Sequence, residues 1–299
     1  MATPATPLDR IHALPCWSGP VAPEPLPGGM TNKNYVVTDR AQKFVVRLGQ
    51  DLPVHGVLRS NELTASRAAH AAGLSPEVVY AADGVLVLRY IEGRTLTAEM
   101  LRSAAVLPAI VDLVRRCHEQ LPQHLDAPAL MFWVFHVVRG YATALRRRAS
   151  AYVPLLPGLM ERAARLEQDV GPIEIVFGHN DLLAANFIDD GQRLWLIDWD
   201  YAGFNSPLFD LGGLVSNNEL DAAQTGFVLA RYFGTVDTAL MRRFAAMKCA
   251  SLLREAMWSM VSELDPPVPF DYAGYTATNL ARFENAYHAF IEGAGRIAR

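Results

Sequence analysis

His179, Asp181, Asn186 and Asp198 interrupt an otherwise apolar stretch, EIVFGHNDLLAANFIDDGQRLWLIDWD, at residues 174–200. Its two apolar runs, Glu174 to Phe177 and Arg193 to Ile197, are rich in β-branched or aromatic residues and stop at Gly178, Asp190 and Gly191. Both therefore read as short strands with the polar residues at their ends. A carboxylate inside such a strand would be buried at large cost, whereas loops at strand ends present catalytic groups from a rigid frame. His179, Asp181 and Asn186 follow the spacing H-x-D-x-x-x-x-N. With that spacing, Asp181 accepts the proton of an attacking hydroxyl, and Asn186 and Asp198 offer one amide oxygen and one carboxylate to hard Mg²⁺. The chemistry this serves is phosphoryl transfer, where a divalent cation neutralises the charge of the migrating group.

That chemistry needs a second half to hold the phosphates, and the N-terminal third offers one. PGGMTNKNY, residues 27–35, is a glycine-containing turn between expected strands that lets backbone N–H groups approach phosphate. Arg47 ends the next strand, where a kinase places its phosphate-binding Lys, and Glu62 in the following helix is its natural ion-pair partner. Taken alone, Gly28-Gly29 is a plain hairpin turn and Arg47 with Glu62 a surface pair. Their order ahead of Asp181 favours the nucleotide reading.

The elements that must position these groups change character near residue 90. VVTDRAQKFVVRL, residues 36–48, reads as a hairpin with a turn of several residues over Thr38 to Gln42. SNELTASRAAHAAG reads as a helix capped by Ser60 or Asn61 and stopped at Gly73. Two more strands flank Asp83-Gly84. After Leu96 the apolar residues recur at three and four, as in AAVLPAIVDLVRRCHEQL and PGLMERAARLEQDV, so helices dominate apart from the strand pair of the opening stretch. The expected class is α+β, with a small N-terminal antiparallel sheet lobe carrying one helix and a larger, mainly helical C-terminal lobe. The expected divisions are a nucleotide-binding lobe over 1–90, a hinge over 91–94 and a catalytic, acceptor-binding lobe over 95–299.

Composition excludes several other classes. The 299 residues, 51% hydrophobic and 19% charged, can bury a large core. A net charge of −4 with scattered basic residues offers no stripe for nucleic acid or anionic lipid, and Arg146, Arg147 and Arg148 read as a solvated helix end. Cys16, Cys117 and Cys249 are odd in number, far apart and without metal-ligand spacing, which points to a reducing compartment, the cytoplasm. No run approaches the roughly 20 apolar residues of a membrane span, and the first residues lack a signal-peptide pattern. The expected partner is a small molecule, with no nucleic acid and no membrane insertion; oligomeric state is left open.

GGMTNKNY, FGHNDLLAANFI, LIDWDYAGFNSPLFDLGGL and MWSMVSELDPPVPFDYAGY together resemble the choline/ethanolamine kinase family, within the wider group of aminoglycoside-phosphotransferase-like small-molecule kinases. The resemblance runs from about residue 20 to 290 and implies a bilobal protein-kinase-like fold, ATP and Mg²⁺, and phosphorylation of a small alcohol bearing an amine. It implies Asp181 as base, Asn186 and Asp198 as metal ligands, Arg47 with Glu62 as phosphate clamp, and Gly28, Gly29, Asn32, Tyr90 and Ile91 around the nucleotide. His179 and Asp210 would support the catalytic loop. Tyr201, Trp258 and Tyr275 match positions that line an aromatic box for a quaternary ammonium, although Trp and Tyr at helical spacing are more often core. Two positions depart from the family pattern. Glu255 stands three residues before Trp258 where a second Trp is common, and Asn217 where an acidic residue is common.

Choline or ethanolamine is the expected acceptor. Another amine-bearing alcohol, an aminoglycoside or thiamine, is the enzymatic alternative, and a catalytically dead kinase-like binding protein the alternative from another class. The dead form predicts a lost base or metal ligand, yet Asp181, Asn186 and Asp198 are all present.

Overall fold

A computed structural model describes residues 6–29, 32–266 and 268–297; Met30 and Thr31 of the glycine-containing turn lie outside the described residues. After a short helix α1 (Pro7–His12), five strands build one antiparallel sheet in the order β1-β2-β3-β5-β4: β1 (Pro23–Leu26), β2 (Lys33–Asp39), β3 (Gln42–Leu48), β4 (Val78–Ala82) and β5 (Val85–Arg89). Strand alternation explains how this sheet serves a site. On β3, Phe44, Val46 and Leu48 pack with Ile11, Val37, Val85 and Val87 in a small core, so Val45 and Arg47 face the other way, into the cleft between the lobes.

The β2–β3 turn is tighter than the expected several residues. Asp39 pairs with Gln42, leaving only Arg40 and Ala41 between the strands, with Arg40 in the left-handed region that such a turn demands. Helix α2 (Arg59–Ala71) also begins earlier than expected. Neither Ser60 nor Asn61 caps it; Asp51 Oδ1 accepts from the Arg59 N–H at 2.7 Å, and Asn61 instead donates to the Ala202 carbonyl at 2.8 Å. Ala65, Ala68 and Ala69 of α2 join the large core of the C-terminal part, so this helix is held between the lobes.

The chain leaves the sheet at Tyr90, whose N–H donates to the Lys43 carbonyl at 3.0 Å. At β6 (Arg94–Thr95) it enters a second antiparallel sheet, β6-β8-β9. Helices α3 (Ala98–Leu101), α4 (Leu107–Gln120), α5 (Val134–Arg147) and α6 (Leu156–Val170) precede β7 (Val176–Gly178), β8 (Phe187–Asp189), β9 (Leu194–Leu196) and β10 (Gly203–Asn205). The two strands read from the opening stretch do not pair with each other. β7 pairs with β10, and β9 pairs with β8 across the Asp190-Gly191 turn, because each three-residue strand has a nearer neighbour that its own sequence did not reveal. Helices α7 (Pro207–Asn217), α8 (Ala222–Phe233), α9 (Thr238–Ser262) and α10 (Tyr272–Ile297) complete the fold. From Phe244 onward α9 is buried on nearly every face, as a helix through the middle of a core must be. Among the described residues no helix is long and apolar enough to cross a membrane.

Candidate active site

The loop from β7 to β8 carries His179, Asp181 and Asn186. It can turn where it does because position 178 is glycine: a Cβ there would lie 2.9 Å from Asp210 Oδ2 and from Asn180 Oδ1. Asp210, in the first turn of α7, accepts from the backbone N–H of His179 at 2.8 Å and of Asn180 at 2.6 Å. It also takes a 2.8 Å bond from His118 Nε2, whose Nδ1 is 2.7 Å from the Tyr232 hydroxyl. Burial opposes ionisation of Asp210, but the bonds from His118 and the His179 N–H outweigh it and hold the carboxyl below the usual range. His179 is fully buried, sits 4.8 Å from the Trp199 ring, and donates from Nε2 to the Ile197 carbonyl at 2.9 Å; burial keeps it neutral.

Asn180 adopts φ of 64°, a left-handed conformation that Asn tolerates better than most residues. Its Nδ2 donates to the carbonyls of Tyr201 (3.0 Å) and Gly203 (3.1 Å), tying the β7–β8 loop to the segment after β9. Asp198, in that segment, has φ of 71°. An Asp held there costs on the order of 1–3 kcal/mol, a strain characteristic of functional positions. Asn186 Nδ2 donates to the Asp181 carbonyl at 2.8 Å, which settles the amide orientation and leaves Oδ1 to accept or ligate. Burial pushes the Asp181 carboxyl up to about 7; Arg254 pulls it down, and Glu255, Asp198 and Asp200 add to the rise.

Arg47 joins the lobes. Its Nε is 2.9 Å from Glu62 Oε1, and its Nη2 is 2.7 Å from Asp198 Oδ1 and 3.0 Å from Asp200 Oδ1. Arg59 Nη1 adds contacts of 2.6 Å to Glu62 and 2.9 Å to Asp200, and Asn32 Nδ2 donates to Asp200 Oδ2 at 3.0 Å. Burial, only partly offset by Arg47, raises the Glu62 carboxyl, while Asp198, Glu62 and Asp200 lift the Arg47 guanidinium well above its ordinary value against the cost of burial. Arg47, Asn186 and Asp198 line a cleft of about 300 Å³. Gly28 and Gly29, both at positive φ, close one side of it, and Tyr90 and Ile91 another. Asn32 and Glu62 stand behind Arg47 rather than along this cleft.

A single carboxylate and a single amide oxygen facing a phosphate-sized cleft suit Mg²⁺, which takes one or two protein ligands beside phosphate oxygens and water. They do not suit zinc, and among the described residues no group of three or more His, Cys, Asp or Glu is placed to hold a metal.

The residues expected at the acceptor side also come together. Trp258 Nε1 donates to the Tyr201 hydroxyl at 2.8 Å, the Tyr275 hydroxyl donates to Glu255 Oε1 at 2.7 Å, and the Trp258 and Tyr275 rings lie edge to face at 6.4 Å. Tyr201 and Trp258 are nonetheless buried, at 8% and 5% exposure. The guanidinium of Arg254 lies over the Tyr201 ring, 4.3 Å from its centre. Sequence reasoning missed Arg254, Arg59, Asp200, Asn180 and His118. Two signals pointed to some of them: Arg59 precedes Glu62 by three residues, the spacing of facing helical side chains, and Asp200 belongs to the same acidic cluster as Asp198.

An antiparallel sheet lobe over a helical lobe, with the β7–β8 loop and an Asp at a strand end meeting the cleft between them, is the architecture of the protein-kinase-like fold. The sequence profile of the choline/ethanolamine kinase family matches residues 24–225, and the chain belongs to that family. Protein LicA of Haemophilus influenzae is 29% identical over 213 residues, covering 69% of this chain but only 61% of the relative, so this chain spans less than two thirds of that protein's length. Ethanolamine kinase 2 of Mus musculus is 25% identical over 288 residues, 85% of this chain and 73% of the relative. The crystal structure of a choline/ethanolamine kinase family protein from Mesorhizobium loti superposes with a TM-score of 0.75 at 26% identity, covering 95% of this chain and 96% of that one.

Proposed function

We propose that the protein transfers the γ-phosphoryl group of ATP to the hydroxyl of a small amine-bearing alcohol, the class to which choline and ethanolamine belong. Asp181 accepts the hydroxyl proton, Asn186 and Asp198 hold Mg²⁺, and Arg47, fixed by Glu62, holds phosphate. Residues 1–90 act as the nucleotide lobe, 91–94 as the hinge and 95–299 as the catalytic lobe. Magnesium, when bound, neutralises phosphate charge and orients the transferring group.

The observation that supports this reading is the 2.7 Å contact between Arg47 and Asp198, which joins the sheet lobe to the strand-end loop of the helical lobe at one cleft. The test is ADP release by the purified chain with ATP, with and without Mg²⁺, against choline, ethanolamine, thiamine and an aminoglycoside. Release that requires both Mg²⁺ and an acceptor is expected. Absence of acceptor-dependent release with any amine-bearing alcohol overturns the reading in favour of a kinase-like binding protein.

A further inference from the structure

Helix α9 carries an arginine that phosphoryl transfer itself leaves unused. Arg254 is only 5% exposed, and its guanidinium lies 4.3 Å from the centre of the Tyr201 ring and 5.7 Å from that of Phe132. Nη1 is 2.9 Å from Glu255 Oε2 and the Tyr141 hydroxyl lies beside the guanidinium, whereas Nε and Nη2 make no well-aligned hydrogen bond among the described residues. A guanidinium cannot shed its charge, and buried donors left unmatched are costly, so this fork calls for a partner.

Its surroundings place it in the acceptor region. Tyr201 is tied to the β7–β8 loop through Asn180, and Glu255 is bridged to Tyr275. After the burial that raises Asp181, the charge of Arg254 is the strongest influence on that carboxyl.

Two consequences follow from charge and geometry. A trimethylammonium depends on aromatic faces, but a fixed cation already covers Tyr201, so a quaternary ammonium there meets like charge. A planar fork whose Nε and Nη2 lack a well-aligned acceptor is complementary to a carboxylate. Glu255 beside it accepts one bond on each oxygen, and a carboxylate has about four lone-pair sites, so it retains capacity for an ammonium. Arg254 and Glu255 thus form adjacent positive and negative poles.

Resting on the phosphoryl-transfer reading, we propose that the acceptor is a small hydroxy amino acid, its carboxylate held by Arg254 and its ammonium by Glu255, with its hydroxyl directed to Asp181. The hydroxyl oxygen forms the new bond to the γ-phosphorus, the bond from that phosphorus to the bridging oxygen breaks with its electron pair leaving on ADP, and the hydroxyl proton passes to Asp181.

Acceptor pairs that differ by one carboxylate test this: serine against ethanolamine, and homoserine against 3-aminopropan-1-ol. With the full chain, ATP and Mg²⁺, the carboxylate-bearing member of at least one pair should have the higher kcat/KM by roughly tenfold or more, the range of charge-assisted hydrogen bonds. Arg254→Lys, which keeps the charge without the planar fork, should narrow that ratio, and Arg254→Met should erase it, with unfolding midpoints checking that both variants fold. Calorimetric titration of the same compounds in the presence of ADP reads the seat without turnover. If ethanolamine or choline is preferred over both amino acids in rate and binding, the proposal is overturned while phosphoryl transfer stands. If no compound prompts ADP release but an amino acid binds, and binds more weakly to Arg254→Lys, the transfer reading fails and the seat stands. An amino acid that neither binds nor turns over, in both pairs, overturns the proposal.

Discussion

Arg47 Nη2 lies 2.7 Å from Asp198 Oδ1, a direct ion pair between the strand that faces the cleft from one lobe and the strand-end loop that faces it from the other. Asp198 is the more exposed partner, its side chain 25% accessible against 8% for Arg47. The carboxylate is therefore held in place from behind while one side still meets the cleft.

Asp198→Ala should weaken Mg²⁺-dependent nucleotide binding more than Asn186→Ala, because a carboxylate is the stronger ligand for a hard cation and the amide supplements it. Titrating Mg²⁺ into both variants at fixed nucleotide decides the order. Unchanged Mg²⁺ affinity in both would remove the metal assignment.

Arg47→Met should cost roughly 3–5 kcal/mol of stability, the usual consequence of deleting one partner from a buried ion pair. Glu62 and Asp200 are each 3% accessible at the side chain and would lose the Arg47 charge that they share with Arg59. Arg47→Lys should cost less, since it restores a charge but cannot reach Glu62, Asp198 and Asp200 from one planar fork. Denaturant unfolding of the three proteins gives the ranking, and a loss under about 1 kcal/mol for Arg47→Met would mean the network is solvated rather than buried.

Much of this arrangement was legible in the sequence, for identifiable reasons. Arg47 could be placed because strand alternation on Phe44, Val46 and Leu48 dictates which side chains face away from the small core. Asp181, Asn186 and Asp198 could be placed because strand ends are marked by Gly178 and by the Asp190-Gly191 turn. The pairing of β7 with β10 was not legible, since three-residue strands carry too little pattern to name their partners. Nor was Arg254. On a helix buried all round, periodicity no longer separates core from site, so a charge there reads as an exception rather than a position.

Asp181→Asn should leave nucleotide affinity intact and reduce turnover by roughly a hundredfold to ten-thousandfold, the range for losing a general base. The hydrogen bond that positions Asn186 is made to the Asp181 backbone carbonyl, so the substitution spares it. Turnover at the wild-type rate would show that Asp181 takes no proton.

His55 ties the N-terminal segment before α2 to the helices behind the acceptor region, and its titration should be visible in stability. It is 6% exposed, with Nδ1 3.2 Å from the Tyr141 hydroxyl, Nε2 3.2 Å from Ser262 Oγ, and its ring 5.6 Å from Trp258. Both hydroxyl partners can serve a neutral imidazole. Burial, reinforced by the charge of Arg254, pushes its pKa from the ordinary 6.5 down to about 3. Between those values the unfolded chain binds a proton that the folded protein refuses, so stability rises with pH and is lost as pH falls below 6.5. At about 1.4 kcal/mol per unit, the loss from this residue between pH 6.5 and 5 is roughly 2 kcal/mol. His55→Gln keeps a hydrogen-bonding side chain that does not titrate. Denaturant unfolding of wild type and variant at the two pH values should show the wild type losing about 2 kcal/mol more than the variant. Parallel losses would mean that His55 accepts its proton without leaving its buried position, and that the contact between the lobes at Tyr141 and Ser262 tolerates a charge.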